Sequence, residues 1–240
     1  MLKDLILNIL ICISIFSDPF ITINPVRSEH NPINQLEKYS LVASLPEENI
    51  SLFVYDTKSS DSYMYNRFLL NVNGKTAIFD WKNEKAPASY PELFVADINN
   101  DKAKELIVVL TIGSGTGLRK TVVHVLRLSD FIEISVVNPL SIIKDKVQTS
   151  IIKNNNGKIL ITINVDNKKN EIAKDENYAP VWFENVGFGS KIYWSVRNNK
   201  LYADVPAQIT PASFVGTVTI EYCFEKNILN MGKIEFTLEN

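Results

Sequence analysis

From Tyr39 onward, apolar and polar residues recur with a period of two rather than 3.6, the signature of strands with one buried face. Ile159, Ile161, Ile163 and Val165 alternate with Leu160, Thr162 and Asn164. Val218, Ile220, Tyr222 and Phe224 alternate with Thr219, Glu221, Cys223 and Glu225, and Ile234-Glu-Phe-Thr-Leu238 alternates in the same way. Leu106-Ile-Val-Val-Leu-Thr-Ile112 is apolar on both parities, which predicts a strand buried on both faces. Between such runs stand Asn73-Gly74, Asn154-Asn-Asn-Gly157, Asp166-Asn167 and Asn198-Asn199. Asn and Gly tolerate the positive φ of tight hairpins, so these are turn signals. Gly113-Ser-Gly-Thr-Gly117 lacks the Lys-Ser/Thr that opens a helix in a phosphate loop, so it predicts a hairpin between 105–112 and 121–128. Helix is scarce. Asn138-Pro139 offers an N-cap and a first helical Pro, with Leu140, Ile143 and Val147 on one face for about two turns. Asn31-Pro32 offers a similar start.

The hairpins group into four blocks, about 39–87, 88–138, 139–184 and 185–240. This pattern predicts an all-β, antiparallel fold with propeller-like blades, about four in number. The blocks share no repeated motif, so a two-sheet β-sandwich or an open barrel is the alternative. No Ser/Gly/Pro-rich linker divides residues 29–240, which read as a single domain.

Leu5 to Phe16 is a nearly unbroken apolar run, followed by Pro19, Pro25 and Val26-Arg27-Ser28. Its length suits the h-region of a signal peptide spanning 1–28 and is too short for about 30 Å of hydrocarbon. The expected destination is secretion or the cell envelope. If the run extends through Phe20-Ile-Thr-Ile23, the segment becomes an uncleaved membrane anchor instead. Cleavage would remove Cys12 and leave Cys223 without an intramolecular partner, on the polar face of its strand. After cleavage no membrane span is expected. With 45% hydrophobic and 22% charged residues the chain has a globular composition. Its net charge is −2 and its basic residues are scattered, so a nucleic-acid partner has no electrostatic footprint.

One segment carries candidate chemistry. Asp97, Asn99, Asp101 and Glu105 occupy positions 1, 3, 5 and 9 of a nine-residue loop, and the carbonyl of Ala103 occupies position 7. Hard oxygens at that spacing suit calcium, which favours flexible oxygen cages. The same residues also read as an Asx-rich polar turn that binds no ion.

Phe94-Val-Ala-Asp-Ile-Asn-Asn-Asp-Lys-Ala-Lys-Glu-Leu-Ile-Val108 resembles a VCBS or FG-GAP repeat, the calcium-loop blade of integrin-α-type propellers. The resemblance is clear over about 20 residues and extends loosely over 88–138. The whole chain also looks like exported Gram-positive-type proteins with one such repeat. The resemblance implies a single blade at 88–138 and gives Asp97, Asn99, Asp101 and Glu105 the ligand roles. Family loops usually carry Gly at the fourth and sixth positions, where this chain has Asn100 and Lys102. Asn tolerates a left-handed conformation, whereas Lys there costs about 1 kcal/mol relative to Gly.

Other features read as structure. Ser141-x-x-Lys144 and Ser150-x-x-Lys153 lack the motifs that accompany a Ser-x-x-Lys nucleophile. His124 shares a strand face with Val122 and Leu126, which predicts a hydrogen-bonded core histidine. Aromatic residues crowd 178–194. Trp194 shares the face of Ile192 and Val196 and is expected in the core, while Trp182 and Tyr193 are the candidate ligand surface. Together these features point to an exported, non-catalytic β-domain of the cell envelope with one structural calcium loop. Its expected partner is a protein or carbohydrate of the envelope, of unknown identity. The alternatives are a hydrolase of envelope polymers and an inhibitor or accessory of a partner enzyme.

Overall fold

A computed structural model describes residues 39–55 and 63–239. The expected signal peptide, Cys12, His30 and the Asn31-Pro32 start lie outside the described residues. The first block forms β1 (Tyr39–Leu45), β2 (Ile50–Tyr55), β3 (Met64–Tyr65), β4 (Phe68–Val72), β5 (Lys75–Phe79) and β6 (Asn83–Glu84). The second forms β7 (Glu92–Ala96), β8 (Glu105–Gly115), β9 (Leu118–Arg127) and β10 (Glu133–Val136). The helix α1 (Pro139–Lys146) leads into β11 (Val147–Lys153), β12 (Lys158–Val165) and β13 (Lys168–Asp175). The chain ends with β14 (Tyr193–Arg197), β15 (Lys200–Gln208), β16 (Phe214–Glu225) and β17 (Ile228–Leu238).

The fold is all-β. β1-β2-β4-β5 and β11-β12-β13 form separate antiparallel sheets, and β3 pairs with β6. The remaining strands join in one eight-stranded sheet ordered β14-β15-β16-β17-β10-β9-β8-β7. About four separate blades are therefore not what the strands build: the second and fourth blocks merge. The join is the parallel pair Ser135–Ile228 and Val136–Leu229, in a sheet otherwise antiparallel. A parallel pair between strands distant in sequence leaves no local turn signal, which is why it is invisible in the hairpin pattern. The sheet curls back on itself, where the Arg119 N–H donates to the Ser190 carbonyl and the Ile192 N–H donates to that of Arg119. This nearly closed sheet fits the barrel alternative, with the other sheets packed against it.

Two cores result. Ile107, Val109 and Val125 face a core with Ile161, Ile163, Trp194, Leu201, Val218, Ile220 and Tyr222. Leu106, Val108, Leu110 and Leu126 face a second core with Ile50, Leu52, Val54, Phe68 and Leu70 of the four-stranded sheet. β8 is thus sandwiched, as its two-parity apolar run predicts. The turns also form as read: Asn73-Gly74, Asp166-Asn167 and Asn198-Asn199 all take positive φ. Asn138 caps α1 by accepting the Leu140 N–H at 2.8 Å.

Candidate functional site

The 97–105 loop connects β7 to β8, whose Ala96 and Glu105 are paired across the ladder. Its carboxylates turn inward onto the loop's own backbone. Asp97 Oδ1 accepts the Asp101 N–H at 3.1 Å and its Oδ2 accepts that of Lys102 at 3.1 Å. Asp101 Oδ1 accepts the Ala103 N–H at 2.7 Å. Glu105, 1% exposed, accepts the Ile98 N–H at 3.0 Å. Asn99 completes the knot. Its Oδ1 accepts the Asp101 N–H at 2.9 Å, while Nδ2 donates at 2.9 Å to both Asp101 and Glu105. Asn100 and Lys102, at the fourth and sixth positions, have φ of 62° and 75°.

This geometry places two carboxylates, those of Asp101 and Glu105, on one neutral amide nitrogen, with Asp97 in the same loop. Burial, followed by the charges of Asp101 and Asp97, raises the Glu105 carboxyl above the usual glutamate value, while the Ile98 and Asn99 backbone hydrogen bonds oppose the rise. Lys104 does not offset the charge, because its Nζ reaches 2.6 Å outward to Glu48. Among the described residues, no group of three His, Cys, Asp or Glu side chains stands ready to hold a metal ion. By type, if not by placement, these oxygens are ones a hard cation takes. Each carboxylate oxygen retains a lone pair beyond its hydrogen bond. Rotating the Asn99 amide would replace its inward N–H donor by an oxygen.

The two candidate surface aromatics lie apart from this loop. Trp182 is half-buried against the core, with Nε1 donating to the Glu176 carbonyl at 3.0 Å and its ring 5.9 Å from that of Tyr178. Tyr193 is 42% exposed, with the Arg119 guanidinium 5.9 Å from its ring centre. Trp194 is buried beside Tyr222 at 5.7 Å.

The fold also forms hollows that no linear motif marks. One of about 360 Å³ opens where β9 parts from β10 and β14, lined by Thr121, His124, Glu133, Ser135, Ile192 and Trp194 among others. His124 stacks on Trp81 at 4.6 Å, and Trp81 stacks on Phe79 at 4.1 Å. The His124 Nδ1 lies 2.7 Å from Glu133 Oε1, the one acid lining this hollow. A second hollow, about 430 Å³, is lined by Gly157, Asp175, Glu176 and Asn177. Both of its acids are ion-paired, Asp175 with Lys158 at 2.6 Å and Glu176 with Lys153. Cys223 is half-buried, and burial, then Glu225, pushes its thiol up, away from the reactive thiolate. Against these features, comparison with known proteins adds no relative: the chain matches no protein-family model, no curated protein and no solved structure.

Proposed function

We propose that this chain is an exported, non-catalytic β-domain of the cell envelope, built to recognise a ligand or partner, with a calcium ion pinning the 97–105 loop. The carrying observation is the loop itself: Asp97, Asp101 and Glu105 fall within one nine-residue turn, and the Asn99 amide bridges the carboxylates of Asp101 and Glu105. A divalent cation is the natural neutraliser of such a cluster. Positive φ at the fourth and sixth loop positions agrees with the VCBS/FG-GAP resemblance, from which this reading takes the loop alone. Calcium here would be structural. It would tie β7 to β8 and, through Lys104 and Glu48, to the turn between β1 and β2.

Export rests on the apolar run Leu5–Phe16. Among the described residues no helix is long and apolar enough to cross a membrane. The non-catalytic reading is supported by the pairing of the acids in the hollows. A glycosidase-type site needs two carboxylates facing one cleft at roughly 5–10 Å. Glu133 is engaged by His124, while Asp175 and Glu176 are held by lysines.

Thermal unfolding in calcium and in chelator tests the reading. Wild type should melt higher in calcium, and Asp97→Ala or Asp101→Ala should abolish the difference. Equal melting temperatures for wild type would leave the loop as an Asx-rich turn. Secreted protein should begin near Glu29, and full-length protein confined to the cytosol would overturn export.

A further inference from the structure

We infer that the hollow where β9 parts from β10 and β14 is a binding site for a small primary amine, with the ammonium group at Glu133 and His124 and the apolar body on the floor. The inference names the ligand class that the recognition role proposed above leaves open, and it rests on that role. The hollow exists because one edge of β9 is covered only at its two ends. Near its end, β9 pairs with β10 through Val125–Ile134 and Leu126–Glu133. Near its start, Arg119 donates to the Ser190 carbonyl and accepts from the Ile192 N–H. Between these contacts, residues 121–124 border a gap of about 360 Å³, at the small end of the range of about 300–1,000 Å³ for small-molecule sites. Val123, Val136, Ile192 and Trp194 give it apolar walls that belong to the first core. His124, Glu133 and Ser135 line its more exposed end.

The polar end offers acceptors. An ionised carboxylate accepts and never donates, so the His124 Nδ1, 2.7 Å from Glu133 Oε1, carries the proton between them. In the neutral ring Nε2 is then a lone-pair acceptor. Among the described residues no donor reaches Nε2, Glu133 Oε2 or the Ser135 hydroxyl. Against these stands one free amide donor, the Asn138 Nδ2. Glu133 is also the one formal charge on the lining, and the basic residues around it are committed elsewhere. Arg119 holds Glu92 at 2.6 Å, Arg127 holds Asp130 at 2.7 Å and Arg197 lies 3.6 Å from Asp204. Lys75 donates to the Ser129 carbonyl at 2.6 Å, and Lys191 lies over the Phe214 ring at 4.5 Å. Lys82, Lys120 and Lys226 are exposed and form no ion pair with Glu133. The start of α1 borders the hollow but gives an anion no hold, because Asn138 itself accepts the Leu140, Ser141 and Ile142 N–H groups.

This chemistry selects the occupant. A primary ammonium brings a positive charge and three N–H donors on a compact head. Glu133 Oε2, His124 Nε2 and the Ser135 hydroxyl are the matching acceptors, and the hydrogen bond to Glu133 is charge-assisted. A short alkyl or aryl body takes the apolar walls out of water. A carboxylate or phosphate would meet Glu133 as a like charge and find no free cation on the lining. An alcohol offers a single donor and no charge. A quaternary ammonium has no N–H to give to Nε2.

The test is isothermal titration calorimetry at about pH 8, where free imidazole is neutral and a primary amine is protonated. The probes are phenethylamine and hexylamine, with phenethyl alcohol and phenylacetate as controls of the same body. At least one amine is expected to bind with Kd below about 1 mM, the alcohol at least about tenfold more weakly, and phenylacetate not at all. Glu133→Gln should weaken amine binding about tenfold or more, with a melting temperature close to wild type because the side chain is 47% exposed. Val123→Phe, which fills the floor, should abolish binding. If Val123→Phe does not fold, Ser135→Phe, at the exposed end, takes its place. The inference is overturned by no binding of either amine below that limit, by equal or tighter binding of the alcohol or of phenylacetate, or by unchanged amine binding in the folded variants. Amine binding without any calcium-dependent melting shift leaves this inference standing while the calcium reading falls. A calcium shift without amine binding does the reverse.

Discussion

At the scale of single residues, the loop holds two opposed demands. Lys102 is left-handed, with φ 75°, where a Cβ is disfavoured. Lys102→Gly should therefore stabilise the protein by about 1 kcal/mol, read as a higher urea midpoint, and should also strengthen calcium binding by removing a cation. Glu105 illustrates the opposite cost. Burial raises its carboxyl above the unfolded value of 4.5. The folded state then holds a proton that the unfolded state has lost, so without calcium this residue's contribution falls as pH rises from 4.5 through the raised value. Glu105→Gln should flatten that part of the stability–pH curve measured in chelator, and an unchanged curve would refute the assignment. The spacing of the acids was legible in sequence. The loop's internal hydrogen bonds were not, because they depend on which way each short side chain turns.

At the scale of elements, strand existence follows from period-two patterning, and hairpin position follows from Asn and Gly. β12 shows the agreement: Ile159, Ile161, Ile163 and Val165 are buried and their neighbours are not. The hairpin between β16 and β17 escaped the turn signals because its first turn residue, Lys226, is not Asn, Asp or Gly, yet both Lys226 and Asn227 take positive φ. The same pair of strands contains a close approach. A Cβ on Gly216 would lie 2.3 Å from the Thr237 carbonyl oxygen and 2.6 Å from Phe236 Cζ. Gly216→Ala should destabilise by about 2–3 kcal/mol, measurable by urea unfolding, since backbone cannot move aside as a flexible side chain would. A loss under about 0.5 kcal/mol would mean that β16 and β17 are not packed this tightly.

At the scale of the whole molecule, the 97–105 loop has leverage because its neighbours belong to different sheets. It joins β7 and β8 and reaches the four-stranded sheet through Lys104 and Glu48. Extracellular calcium modules bind at about 10⁻⁴–10⁻³ M. A millimolar concentration over a 10⁻⁴ M site adds roughly 1.4 kcal/mol by mass action. For a domain near 200 residues that is a melting shift of about 3–6 °C, and Asn99→Asp should enlarge it by adding charge. A shift that persists in Asp97→Ala would place the ion elsewhere.

What the sequence determined by itself was local. Alternation set which side of each strand is buried, Asn and Gly set where the chain turns, and the doubly apolar run 106–112 announced a strand between two layers. These follow from side-chain direction and backbone sterics, which act over a few residues. Only the tertiary structure decided that β10 joins β17, so that two blocks share one curled sheet rather than standing as blades. Only it brought His124, Glu133 and Trp194 from three strands to the lining of one hollow. Where strands part is set by pairing and register between distant segments, so the lining of such a gap emerges across strands and is written in no single stretch of chain.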